Sequence, residues 1–158
     1  MEKQVSYRRA VVEDCALILE FIRSLASYEN MADQVCANEE ALAHWLFEEK
    51  KAEVMFVVED SKEVGFALYF FNFSTFLARP GIHLEDLFVL EGYRHRGYGK
   101  GLIKQLIKLA RENGCGRIEW SCLDWNEPSI DFYLSLNAKR LDEWLVFRLE
   151  EADFDALV

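Results

Sequence analysis

Apolar positions along the chain alternate between two periods, one fitting strands and one fitting helices. Val54 to Val58 and Val64 to Phe71 are β-branched and aromatic runs, and the polar stretch Asp60 to Glu63 between them predicts a hairpin. Gln4 to Arg8 predicts a first strand. Asp14 is the expected cap of a helix carrying Leu17, Ile18, Phe21, Ile22 and Leu25 on one side and running to about Ser27. Tyr28 to Val35 has no sustained period and is a candidate substrate loop, after which Asn38 caps a second helix through Phe47. A loop from Phe76 to Gly81, signalled by Pro80-Gly81, leads into a central strand that starts near Ile82. Leu102, Ile103, Leu106, Ile107 and Ala110 then recur at helical spacing up to the stop at Asn113-Gly114. Arg117 to Leu123 predicts a strand, Pro128 to Leu136 a helix, and Ala138 to Leu141 and Trp144 to Leu149 two closing strands. The order β-α-α-β-β-β-α-β-α-β-β describes a mixed α/β (α+β) chain with a largely antiparallel first half. At 158 residues it fits one domain, 1–158.

The chemistry gathers where the central strand turns into the following helix. Arg94-His95-Arg96-Gly97-Tyr98-Gly99-Lys100-Gly101 lacks a long side chain at three positions, so backbone N–H groups at a helix start can approach an anion closely. Charge sharpens this reading. Against 28 acidic and 18 basic residues in all, Arg94, Arg96, Lys100 and Lys104 cluster at this one turn, which suits a polyanionic ligand. The nucleoside-triphosphate loop Gly-x-x-x-x-Gly-Lys-Ser/Thr is absent, and a dinucleotide fingerprint counted from Gly97 meets Leu102 where its third glycine belongs.

Within the central strand, Glu85 and Asp86 stand side by side among apolar residues, where ionised carboxylates are costly to bury. Strand alternation points them to opposite faces, one toward a cleft and the other capped or paired elsewhere. His83 shares a face with Glu85, but no third ligand accompanies them and no metal is expected. The net charge of -10 argues against affinity for nucleic acid or anionic membranes and favours cationic substrates. No apolar stretch is long enough to span a bilayer. Cys15, Cys36, Cys115 and Cys122 show neither disulfide nor zinc spacing, and with no signal peptide pattern the expected location is cytoplasmic.

Arg94-x-x-Gly97-x-Gly99, placed after a strand and opening a helix, resembles the acyl-CoA loop of the GNAT superfamily of N-acetyltransferases. Trp125-Asn126-Glu127-Pro128-Ser129-Ile130-Asp131-Phe132-Tyr133 is similar to that family's second cofactor-side element. Tyr28-Glu29-x-Met31, Leu84-Glu85-Asp86-x-Phe88-Val89 and Asn126-Glu127-Pro128-Ser129 with Tyr133 resemble most the branch that acetylates spermidine, spermine and thialysine. The resemblance implies a mostly antiparallel sheet flanked by helices, acetyl-CoA as donor, a small cationic amine as acceptor and a homodimer. It implies cofactor contacts from Phe88, Val89, Arg94, Arg96, Gly97, Tyr98, Gly99, Lys100, Gly101, Asn126, Ser129 and Tyr133. Tyr28, Glu29, Met31, Glu85, Asp86 and Trp144 would line the amine side, with Glu85 accepting a proton, directly or through water, and Tyr133 protonating the departing thiolate. On spacing alone these residues keep ordinary structural readings: Met31, Trp144 and Tyr133 as packing residues, Glu29 as a helix end, Arg94 and Lys100 as loop or surface charges. A protein amine as acceptor, and a non-catalytic acyl-CoA sensor, are the alternatives.

Overall fold

A computed structural model describes residues 2–158. The chain divides into two compact units, one through Ser121 and the other Cys122–Val158. In the first, five strands lie in the order β1-β2-β3-β4-β5: β1 Val5–Arg9, β2 Glu53–Glu59, β3 Lys62–Ser74, β4 Arg79–Val89 and β5 Ile118–Glu119. The first four pair antiparallel and β5 is parallel to β4. Helix α1 spans Cys15–Tyr28, α2 spans Glu39–Leu42 and passes into a π-helix at Ala43–Glu48, and α3 spans Tyr98–Glu112. The mixed, mostly antiparallel architecture expected from the pattern is the one observed.

Alternation along the strands explains where the core sits. Val54, Phe56 and Val58 from β2, with Phe66 and Phe88, turn to one face and meet Ile18 and Phe21 of α1. The Phe21 ring lies 5.2 Å from Phe66 and 5.8 Å from Phe56. Residues one step out of phase face α3, whose buried side carries Leu102, Ile103, Leu106, Leu109 and Ala110, while Ile107 turns outward. Tyr7, opposite Val57, belongs to that second face, and its ring fills the space beside Gly101. A Cβ there would lie 1.7 Å from the Tyr7 hydroxyl oxygen and 2.7 Å from Cζ. Gly101→Ala is therefore expected to lower stability by about 1–3 kcal/mol in thermal unfolding, and Tyr7→Leu in the same chain should recover most of the loss.

Several boundaries differ from those read off the pattern. Pro80-Gly81 is not a turn: β4 begins at Arg79, with Pro80 opposite Phe73, and the chain reverses at 75–78, where Ala78 has φ 50°. Pro80 is the second residue of β4, close to the strand's beginning where proline is best tolerated, and Gly81 leaves room for the Asn72 side chain and the Arg117 carbonyl. The strand expected over Arg117 to Leu123 shrinks to Ile118–Glu119, since β5 meets β4 only at Ile82 and His83.

The second unit holds α4 Glu127–Ser135 and a last short helix, α5 Glu151–Phe154. The two closing strands expected over 138–141 and 144–149 do not form. Leu145, Val146 and Phe147 are 76–88% exposed there, and β-branched or aromatic residues make a strand only where a neighbouring strand accepts their hydrogen bonds.

Candidate active site

Gly97 opens α3 with φ 84°, a left-handed conformation that glycine adopts without penalty. The turn before it also holds His95 at φ 62°. The N–H of Gly101 already bonds the Gly97 carbonyl at 2.9 Å, so helix geometry leaves the N–H groups of Tyr98, Gly99 and Lys100 without intrahelical acceptors. No side chain caps this end. These three donors, at the positive end of a fifteen-residue helix, fit an anion. Gly101 itself contributes packing space for Tyr7 rather than a donor.

The cations around the turn divide by role. Arg94 Nε donates to the Val89 carbonyl at 2.9 Å, and its guanidinium lies 4.7 Å from the Tyr28 ring and 5.3 Å from that of Phe88. Arg96 donates to both oxygens of Glu59 at 3.1 Å and to the Gly92 carbonyl. Both arginines thus hold the loop in shape, leaving exposed Lys100 and Lys104 on the first turns of α3 to meet a ligand's negative charge. Sequence reasoning missed Glu59. It is buried at the end of β2, and the Lys3 ammonium, with Tyr98 and Arg96 behind it, holds its carboxyl below the usual range against the opposing effect of burial. Its only sequence signal is an acid that closes an apolar strand before a turn. Arg94→Lys keeps the charge but loses the planar group that stacks on two rings while donating to Val89. It should weaken binding of a diphosphate-bearing ligand at this turn about 5- to 10-fold in calorimetry, with the helix content unchanged.

Next to this loop, β4 pairs with β5 at Ile82 and His83, where the two-residue β5 ends, while β4 itself runs on to Val89. Phe88 is buried, Val89 is half-buried and accepts from Arg94, and this end of β4 lies directly before the Gly97 turn.

The two acids of β4 do not point to opposite faces. Leu68 lies opposite Asp86, but Tyr69 lies opposite Leu84, so Glu85 is an extra residue in the ladder, a β-bulge. Asp86, opposite Leu68 and two residues from Phe88, therefore lies on the α1 side, where both pack. Glu85 is on the same side. Its carboxylate is 3.3 Å from His83 Nε2, and the His83 ring lies 4.9 Å from Phe70, the next residue of β3 to share Leu68's face. Glu29, the C-cap of α1, completes an acidic trio on this face. Burial raises the Glu29 carboxyl above its usual range. Asp86 is pushed up to about 7, first by burial and then by the charges of Glu85 and Glu29. Tyr28 stands beside them, its ring 6.3 Å from Phe88, and Met31 is half-buried before the 3-10 turn Ala32–Gln34. His83 and Glu85 gain no third ligand; among the described residues no group of three or more His, Cys, Asp and Glu could hold a metal.

A recess of about 670 Å³ lined by Ala16, Leu19, Glu20, Arg23, Ser24, Ser27 and Glu39 contains none of these residues. In the second unit, buried Asn126 caps α4 by accepting from the Ser129 N–H at 3.4 Å. Tyr133 is half-buried on the same helix with its ring 5.4 Å from Phe132, and Trp144 is 72% exposed.

Residues 18–137 match the Acetyltransferase (GNAT) family. The chain belongs to that family. It is 38% identical to the thialysine N-epsilon-acetyltransferase of Bos taurus over 92% of each chain. It is 41% identical to the L-ornithine N5-acetyltransferase of Arabidopsis thaliana over 58% of this chain and 40% of that one. Among solved structures, an integron cassette protein from V. cholerae superposes with a TM-score of 0.80 at 29% identity, covering 97% of this chain and 96% of its own. The protein is thus a GNAT acetyltransferase. Members of this family use acetyl-CoA as co-substrate, and the N–H groups at 98–100, which have no intrahelical acceptors, suit its diphosphate. No helix among the described residues is long and apolar enough to cross a membrane.

Proposed function

We propose that the protein transfers the acetyl group of acetyl-CoA to a primary amine of a small cationic substrate, a lysine analogue or diamine, by direct attack in a ternary complex. The observation that carries this reading is the acidic trio formed by Glu85 and Asp86, brought to one face of β4 by the bulge, and Glu29 at the end of α1, beside the strand that leads to the Gly97 turn. Three carboxylates attract a substrate bearing two or more positive charges, and the relatives that act on thialysine and ornithine use amines of that size. In this reading the N–H groups of Tyr98, Gly99 and Lys100 hold the diphosphate and exposed Lys100 adds charge. A main-chain N–H between Leu87 and Val89 polarises the thioester carbonyl. Asn126 and Ser129 line the donor, Trp144 lines the amine side, and Tyr133 gives the departing sulfur its proton.

The test is thiol release from acetyl-CoA with thialysine, ornithine, a diamine, spermidine, a neutral monoamine and an amine-bearing peptide. Release with the small dications and little with the neutral monoamine is expected. Release with the peptide alone would favour a protein acceptor, and acetyl-CoA binding without release from any arm would favour a sensor. In the active arm, Tyr133→Phe should lower kcat about 100-fold with acetyl-CoA affinity kept; unchanged turnover would remove Tyr133 from the reaction.

A further inference from the structure

We infer that Glu59, at the end of β2, is the positioning residue that holds the main-chain donors of Tyr98, Gly99 and Lys100 in the orientation a diphosphate needs. This deepens the donor reading above and rests on it. A left-handed glycine has no side chain to fix its own torsions, and glycine loses more conformational freedom on ordering than any other residue. A turn built on Gly97 therefore seats an anion tightly only if its flanks are held, because donors that must be ordered on binding weaken the affinity by the cost of ordering them.

Glu59 meets that need on both sides of the glycine. It lies opposite Val5, which shares Tyr7's face of the sheet, the one that α3 covers. Its side chain is only 4% exposed. Just before Gly97, Arg96 Nη1 donates to both oxygens of this carboxylate at 3.1 Å. Its Nη2 donates to the Gly92 carbonyl at 2.9 Å, and the guanidinium lies 5.1 Å from the Tyr93 ring. Just after Gly97, the buried Tyr98 reaches the same carboxylate with its hydroxyl. Both neighbours of Gly97 are thus tied to one group on the sheet. Lys3, two residues ahead of β1, pairs with that group from a separate segment of the chain.

Charge alone would favour a different residue at this place. A carboxylate close to an anion site repels the anion, and a buried ion pair adds little net stability, since desolvation offsets the attraction. What Glu59 supplies is a pair of fixed acceptors for Arg96 and Tyr98. The two effects have opposite signs, so one substitution separates them. Removing the carboxylate strengthens diphosphate binding if Glu59 acts through its field, and weakens it if Glu59 acts through the turn.

The experiment titrates wild type, Glu59→Leu, Glu59→Gln and Lys3→Ala by calorimetry with coenzyme A and with pantetheine, which lacks the diphosphate, and follows thermal unfolding of each. Leucine nearly fills the volume of the glutamate, and the Arg96 and Lys3 side chains, 39% and 52% exposed, stay within reach of water. Glu59→Leu should weaken coenzyme A binding about 10-fold and leave pantetheine unchanged. Glu59→Gln, which keeps one acceptor for Arg96, should fall between it and wild type. Lys3→Ala should keep both affinities, whatever its Tm. With an amine that supports turnover, the loss should appear in the KM for acetyl-CoA with kcat kept. Tighter or unchanged coenzyme A binding in folded Glu59→Leu would overturn the assignment, as would the same result in Glu59→Gln should the leucine variant not fold. An equal loss in Lys3→Ala would also overturn it, making the carboxylate a contact for stability alone. Wild type that binds no coenzyme A overturns the donor reading itself, an outcome distinct from wild-type binding that the Glu59 variants retain.

Discussion

Gly97→Val is expected to weaken acetyl-CoA binding about 100-fold while the protein remains folded. The reason is conformational. At φ 84° a β-branched residue is strained by roughly 1–2 kcal/mol or more, and relief comes from rotating the peptide units that aim the Tyr98, Gly99 and Lys100 N–H groups. No protein atom lies within 4 Å of a Cβ built at Gly97, so the substitution does not wedge the core open. The added side chain instead occupies the open side of the turn, where main-chain donors and a diphosphate must approach to about 3 Å. Losing two or three charge-assisted hydrogen bonds accounts for an effect of this size. Titration calorimetry measures the affinity and circular dichroism the fold. Gly101→Ala, four residues along the chain, should have the opposite profile, with stability reduced first, because its Cβ strikes Tyr7.

The second large effect is on stability. Asp86→Asn should make the protein more stable than wild type at pH 8 and nearly equal to it at pH 4. The folded carboxyl is raised to about 7 from an ordinary 3.8. Between those values the folded chain keeps a proton that the unfolded chain releases, so wild-type stability from this group is fully present below pH 3.8 and is lost as pH rises through 7. The amide carries no charge to desolvate. The difference at pH 8 is on the order of 4 kcal/mol, and for a chain of this size each kcal/mol moves Tm by roughly 2–4 °C. Thermal scans at the two pH values measure it; equal shifts at both would mean that Asp86 is not held protonated by its surroundings.

These two residues also show how unevenly the sequence exposes its structure. The Gly97 turn was legible because glycine spacing, an apolar strand before it and an apolar helix after it all reflect local backbone needs. The facing of Glu85 and Asp86 was not, since a bulge is a relation between two strands and simple alternation along β4 gives the wrong answer. The residues 144–149 carry every local sign of a strand, yet a strand is completed by its neighbour's hydrogen bonds, which lie outside any local pattern. Arg96 illustrates a third kind of gap. Its position beside the turn suggested a phosphate contact, but Glu59, 37 residues earlier, claims its guanidinium. What the pattern did locate was the neighbourhood: the acids on β4 and the turn that follows it.

In the proposed reaction the main-chain amides at the start of α3 seat the donor's diphosphate. Backbone amide resonances of the nitrogen-15 labelled protein, followed during titration with coenzyme A and then with the dephosphorylated pantetheine arm alone, test this. Coenzyme A should produce the largest shifts at Tyr98, Gly99 and Lys100, and the arm without its diphosphate should leave those three nearly unmoved while still shifting Phe88 and Val89. Saturable binding of coenzyme A with the amides of 98–100 unperturbed would contradict it.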